Sequence, residues 1–206
     1  MPKSEEEEKI SKKKFIIVNK NTDESKNIVN KGTGAGGAKT NANGLQYEVL
    51  TDLSSEFDSE KTVKHKLFNE IFFKNIDKKY ISTKQSNVFK YMNDKIDKSV
   101  NRGHGCKNPD ECFIYEDTNT IFIIEKKFQQ VGGSVCEKIQ TAPFKIWAYK
   151  RTFPNYKIVY IYCLSDWFKI NCKAELEYLK ENNINVFWGS SSTYKQDIIS
   201  FIVNYK

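Results

Sequence analysis

From residue 111 onward, apolar and polar positions alternate in a pattern that names its elements. CFIYED and TIFIIEKKF are two β-rich runs separated by Asp117-Thr118-Asn119, turn chemistry that predicts a hairpin. Residues 135–151 carry Ile139, Phe144, Trp147 and Ala148 at helical spacing, so a helix is expected there, with Pro143 in its first turn or at a kink. KIVYIYCLS (157–165) is apolar enough for a strand buried on both faces. An amphipathic helix over 173–183, a short strand over 185–189 and a closing helix over 193–205 complete this half. Upstream, Leu45, Val49 and Leu53 with Tyr47 and Leu50 predict a helix over 43–54, capped by Asn41 or Asn43. Residues 61–100 give a weaker signal, with Leu67, Phe68, Ile71, Phe72 and Phe73 leading to YIST and VFKYMNDKI, and are expected to be helical or mixed. Helices interleaved with strands in this order predict an α/β fold, a central mixed β-sheet flanked by helices.

Residues 1–35 break the pattern, with four acids at Glu5–Glu8, then Lys12, Lys13 and Lys14, and are expected to be a mobile arm before a single domain over 36–206. The chain's 206 residues suit one core of that size. No apolar run reaches about 18 residues and the opening stretch lacks a signal peptide's apolar segment, so a soluble, cytoplasmic protein is expected, bacterial or in the host cell of a virus. Cys106, Cys112, Cys136, Cys163 and Cys172 are an odd, scattered set, which in that setting predicts free thiols and no bridges. The 33 lysines and arginines against 26 acids leave +7, which favours a polyanionic partner, nucleic acid first. Only Arg102 and Arg151 of those cations are arginines, so part of the basicity is ordinary lysine richness.

Three motifs resemble binding sites without the context that binding needs. Gly32-x-Gly34-x-x-Gly37 has dinucleotide-binding spacing and Asp52 follows at the right remove, but no strand leads into Gly32 and Asn41, Asn43 and Gly44 interrupt the helix that should follow. The same stretch nearly spells a phosphate-binding loop, yet Ala38 stands where the second glycine belongs and Thr33 where the first does. His104, Cys106 and Cys112 lie close in sequence but lack a Cys-x-x-Cys pair and a fourth ligand for zinc. With His65 and His104 as the only histidines, histidine-based catalysis is poorly supplied.

Carboxylates and lysines are better placed. Pro109-Asp110 opens the first strand of the hairpin, and Glu125-Lys126-Lys127 closes the second, so the two ends should be adjacent. Alternation puts Ile123, Glu125 and Lys127 on one face of the strand and Phe122, Ile124, Lys126 and Phe128 on the other. Two carboxylates converging at a strand end offer hard oxygens suited to Mg²⁺, and a lysine beside them can orient a water for attack on phosphorus. Glu-x-Lys alone in a lysine-rich chain also describes a simple cross-strand ion pair; the conjunction with Pro-Asp, the hairpin and the following helix carries the reading.

Asn108-Pro109-Asp110 through Glu125-Lys126-Lys127 resembles the PD-(D/E)XK nuclease superfamily. The continuation from Phe128-Gln129 through Gly132-Gly133-Ser134 to Glu137-Lys138-Ile139-Gln140-Thr141 looks like type II restriction endonucleases, and Gly36–Glu48 is similar to the opening segment of some of them. Together these stretches span roughly residues 36–165. The resemblance implies Mg²⁺ held by Asp110, Glu125 and the Lys126 main-chain carbonyl, with Lys127 as catalytic lysine. It places Glu48 on the first helix as a further acid near the metal, and Gln129 as an extension of the site. It also implies double-stranded DNA as substrate, a homodimer cutting one strand per site, and a cognate DNA methyltransferase in the same restriction-modification system. Lys138, Gln140, Thr141 and Lys145, on or before the helix after the active strand, are candidate DNA contacts, along with Lys150 and Arg151 nearby. Arg102 and His104, with Lys84, Gln85, Asn87 and Asn101, are candidates for reading bases. A structure-specific or repair nuclease of junction-resolvase type, and a DNA-binding module with an inactive nuclease site, stand as alternatives.

Overall fold

A computed structural model describes residues 38–95, 102–103, 105–132 and 135–206; the expected arm at 1–35, the glycine motif at 32–37 and His104 lie outside them. Among the described residues seven strands form one mixed sheet in sequence order: β1 (Val63–Lys64), β2 (Asn69–Phe72), β3 (Lys79–Thr83), β4 (Glu111–Tyr115), β5 (Thr120–Lys127), β6 (Lys157–Leu164) and β7 (Asn185–Trp188). Strands β1 to β5 run antiparallel, and β5, β6 and β7 run parallel. The helices are α1 (Ala38–Leu50), α2 (Asn87–Lys95), α3 (Val135–Gln140), α4 (Ala142–Thr152), α5 (Trp167–Asn171), α6 (Lys173–Glu181) and α7 (Tyr194–Asn204). The α/β class with a mixed sheet between helices is the one that the residue pattern predicts.

Period-two alternation sorts the two eight-residue central strands into two cores. Ile121 and Ile123 of β5, with Ile158, Tyr160, Tyr162 and Leu164 of β6, face a core shared with α2 to α6. Phe122 and Ile124 of β5, with Val159, Ile161 and Cys163 of β6, face a second core completed by Tyr47 of α1 and Tyr194, Ile198 and Ile202 of α7. Because both faces are covered, these strands need no polar side, and each fully buried large apolar side chain contributes about 1.5–3 kcal/mol. The hairpin joining β4 to β5 turns through a short 3₁₀ segment, Glu116–Thr118, and Asn119 in the left-handed region at φ 47°.

Several expected boundaries shift. The first helix runs 38–50 rather than 43–54, so Asn41 and Asn43 lie within it instead of capping it. Its apolar stripe turns outward: Leu45, Val49 and Leu50 are exposed, and Tyr47 is the residue it buries. Gly189 explains that register, since a Cβ there would collide with the Tyr47 hydroxyl and the Thr51 methyl. Leu53 is buried after the helix has ended, in a 3₁₀ turn (Leu53–Glu56) capped by Asp52, whose carboxylate accepts from Ser54 N–H at 2.8 Å. Region 61–100 is mixed, one of the two forms expected, with β1, β2 and β3 followed among the described residues by α2. The single helix expected over 135–151 is two, α3 and α4, broken at Thr141, with Pro143 in the first turn of α4 where a missing N–H costs nothing. Helix α5 was not anticipated; a run of only five residues is too short to show periodicity.

The expectation of no bridges is also corrected. Cys136 on α3 and Cys172 at the start of α6 form a disulfide, with Cα atoms 5.7 Å apart, because packing of α3 against α6 brings together residues that spacing cannot relate. Cys106, Cys112 and Cys163 are free and buried. The bridge closes a 36-residue separation, so Cys136→Ser with Cys172→Ser should lower unfolding free energy by about 2–4 kcal/mol, with the core sheet intact. Urea unfolding of the variant and of wild type, each with and without reductant, checks this: reductant should move only the wild-type midpoint.

Candidate active site

The end of β5 carries charges on both faces. On one face, Glu125 Oε1 receives Lys127 Nζ at 2.6 Å and Lys145 Nζ, from α4, at 3.0 Å. Burial alone would raise the Glu125 carboxyl, but the two ammonium groups outweigh it and hold it below its ordinary value. Asp110, just ahead of β4, accepts the Lys126 N–H on Oδ2 at 2.7 Å, and its own N–H donates to the Ile124 carbonyl at 3.2 Å. Since the N–H and C=O of one strand residue point to the same edge, the Lys126 carbonyl is turned to the Asp110 side of β5. The Asp110 carboxyl is pushed up by burial and by the charge of Glu125, which its bond to Lys126 N–H and the two neighbouring lysines offset only in part.

Glu48 reaches the same end of the sheet from α1. It is half-buried, and burial followed by the charge of Asp110 raises its carboxyl above the usual value. What delivers it is the opposite face of β5. Lys126 Nζ, with its side chain 2% exposed, pairs with Glu111 Oε2 at 2.6 Å and donates to the Glu48 carbonyl at 3.0 Å. It thereby caps one of the last carbonyls of α1, where a cation is favoured. Glu111 Oε1 accepts from Leu53 N–H at 3.2 Å, fixing the chain just past the helix. Tyr47 adds packing, its ring 5.3 Å from that of Phe128 and its hydroxyl 3.4 Å from Cys163 Sγ.

The expected site residues are thus distributed unevenly. Glu48, Asp110, Glu125, the Lys126 carbonyl and Lys127 converge at the β4–β5 end. Gln129 does not join them: β5 ends at Lys127, the Gln129 backbone bonds Ser165, and its side-chain amide donates to the Val131 carbonyl at 2.7 Å. Lys145 lies below the surface, its side chain 13% exposed and paired with Glu125. Gln140 donates to Glu175 at 3.2 Å, and the Thr141 hydroxyl to the Lys138 carbonyl at 2.7 Å, so both are occupied locally. Arg102 donates from Nε to the Cys106 carbonyl at 3.0 Å and stacks 4.2 Å over Phe89, which makes it a loop anchor. Lys138 is exposed.

Three contributors escaped sequence reasoning: Glu111, the Lys126 side chain and the Glu125 contact of Lys145. A signal existed for the first two, since alternation puts Lys126 beside Phe122 and Ile124, and Glu111 beside Phe113, on an otherwise apolar face. For Lys145 there was none, its contact depending on how α4 crosses the sheet.

The oxygens of Glu48, Asp110 and Glu125 do not all lie within 4.8 Å of one another. Among the described residues the one group of three potential ligands that compact is Cys136, Cys172 and Glu175, and its sulfurs are bonded to each other. No family model, curated protein or solved structure matches this chain.

Two stability predictions follow from these charges. Glu111→Ala should cost about 3–5 kcal/mol by stranding Lys126 in the core, while Glu111→Leu with Lys126→Met should recover most of it; denaturant midpoints of the single and double variants measure the coupling. Asp110→Asn should stabilise the fold at neutral pH by roughly 1 kcal/mol. The sign follows from the raised Asp110 carboxyl: its ionised form is disfavoured in the folded chain, so the advantage of Asn is full at high pH. That advantage fades as pH falls and wild-type Asp110 takes up a proton. Thermal unfolding of both proteins across pH 4–8 checks the slope.

Proposed function

We propose that the chain is a Mg²⁺-dependent endodeoxyribonuclease of the PD-(D/E)XK type, acting as a type II restriction enzyme on a short sequence in double-stranded DNA. The observation that carries the reading is the convergence of Asp110, Glu125 and Lys127 with Glu48 at one sheet end. The sequence motif requires the first three to meet there, and the fourth arrives on a separate helix. A helix, an antiparallel pair of strands bearing the acids, and a helical crossover to a parallel strand supply the frame that this reading expects.

The residues fit the ion. Mg²⁺ takes oxygen ligands, keeps several waters and needs only one or two carboxylates, so a full set of protein ligands is not required. Asp110, Glu125 and the Lys126 carbonyl would hold it, with Glu48 reaching it through water. Both Asp110 and Glu48 are pushed up by burial and by neighbouring negative charge, which marks a local excess of anion that a divalent cation would relieve. When bound, the ion supplies positive charge to a phosphoryl oxygen and lowers the pKa of water.

The chain's own residues do the rest. Lys127 sits beside the carboxylate cluster, where its ammonium group can orient the attacking water or offset charge growing on the phosphate. Lys145 holds Glu125 from the helix side and keeps it ionised. The Asp110 bond to the Lys126 N–H fixes that carboxylate relative to β5. The resemblance to type II restriction enzymes further implies a homodimer matched to a two-fold target.

Purified protein incubated with unmethylated phage-length DNA, with Mg²⁺ and separately with EDTA, should yield discrete fragments only with Mg²⁺. Asp110→Ala and Lys127→Ala should each cut at least about 100-fold more slowly while retaining DNA binding. Uncut DNA from several sources, or full activity in Asp110→Ala, would sink this assignment. Cutting confined to four-way junctions would instead favour a structure-specific nuclease on the same site.

A further inference from the structure

Helix α4 has a second face that the carboxylate site does not use. Phe144, Trp147 and Arg151 follow one another at helical spacing, so they share one stripe. Phe144 is 54% exposed and Trp147 51%, unusual values for large aromatics in a chain whose other aromatic rings mostly pack into the two cores. Their rings stack with centroids 5.6 Å apart and planes 30° from parallel, and the Arg151 guanidinium lies 5.4 Å from the Trp147 ring. The pair is supported from one side: a Cβ on Gly105, at φ +88°, would sit 3.4 Å from the Phe144 ring, so that glycine lets the backbone at 105 pass close behind it. Phe144 also adjoins Lys145, whose ammonium group bonds Glu125, so the stripe starts one residue from the candidate active site.

Charge decides what fits this stripe. None of the eleven residues of α4 is acidic, and Lys150 and Arg151, both exposed, are cationic. A second copy docking about a two-fold axis would bring this cationic surface near itself. Two half-exposed aromatics also supply little of the ~800 Å² per partner that a stable protein interface buries. A flat, uncharged π-face attached to a phosphate matches both features, stacking on the rings while the cations meet the anion.

We propose that Phe144 and Trp147 form a stacking platform for an unpaired or extruded nucleobase of the DNA strand, with Lys150 meeting an adjoining phosphate. The proposal rests on the reading of the chain as a DNA-acting enzyme and adds a base-contacting site to it. It moves strand contact from Lys145, Gln140 and Arg102, which are engaged internally, to the outer stripe of the same helix.

The test is equilibrium binding of the full chain to a fluorescein-labelled twelve-nucleotide oligothymidine in EDTA, where cleavage plays no part. Trp147→Ala should lose about 10-fold or more in affinity, and Trp147→Phe should keep most of it. Lys150→Ala should flatten the slope of log affinity against log salt by about 0.7, one single-strand phosphate. Wild-type affinity in Trp147→Ala would overturn the platform. So would conversion of a dimer to a monomer by Trp147→Ala, read by sedimentation, with oligothymidine binding unchanged. Cleavage of phage DNA by wild type is measured in parallel, so the two readings fail separately. Loss of binding in Trp147→Ala from a chain that cuts nothing supports the platform and removes the nuclease. Mg²⁺-dependent cutting with Trp147→Ala binding unchanged does the reverse.

Discussion

The ion pair of Lys126 with Glu111 is the interaction on which the site's geometry hangs. Both side chains are 2% exposed, and removing each from water costs several kcal/mol that their attraction only partly offsets. Burial holds the Glu111 carboxyl above its ordinary value despite the ammonium group beside it, so the pair is a poor source of stability compared with apolar residues of the same volume. What it supplies is position. One ammonium group ties β5 to β4 through Glu111 and to the end of α1 through the Glu48 carbonyl, and Glu111 continues the chain of bonds to Leu53 N–H. Without that link, α1 would rest on Tyr47 and Thr51, and its Glu48 would have no fixed relation to Asp110.

On the other face of the same strand, the carboxylates are compensated unequally. Glu125 is held anionic by two lysines from different elements, β5 and α4, while Asp110 and Glu48 are left short of compensation. Opposed shifts among neighbouring carboxylates are what the proposed metal site would use. On the proposed reading, the stabilising substitution expected at Asp110 and the destabilising one expected at Glu111 separate a residue kept for reactivity from one kept for placement.

Much of this was legible in the chain because its decisive features are local. The hairpin, the alternation of TIFIIEKKF and the continuous apolar run of 157–165 are short-range signals, and β4, β5 and β6 follow them closely. Asp110, Glu125 and Lys127 share that legibility, since a hairpin brings its own ends together. What failed depends on packing between distant elements. Helix α1 turns Leu45, Val49 and Leu50 outward because Gly189, far along the chain, makes room for Tyr47. Cys136 and Cys172 meet because α3 packs against α6, and Lys145 leaves the surface because α4 crosses over Glu125. Gln129 fails for a simpler reason: alternation holds only while the strand continues, and β5 stops two residues earlier.

The sequence Glu125-Lys126-Lys127 serves both needs only because a strand has a period of two. Glu125 and Lys127 emerge on the side of α4, and Lys126 emerges between them on the side of α1. A slip of β5 by one residue would send Glu125 and Lys127 toward the core of Phe113 and Val159 and deliver Lys126 alone to the site. Register is therefore the strictest requirement on this fold, stricter than the identity of most core residues. It is set at the far end of the strand, where Asn119 takes the left-handed conformation that closes the hairpin and its carbonyl accepts the Lys157 N–H at 2.8 Å, starting the parallel pairing with β6. From Thr120 paired with Lys157 to Lys127 paired with Leu164, that register runs unbroken to the carboxylates. A turn residue at one end of the sheet thus decides which side chains face the chemistry at the other.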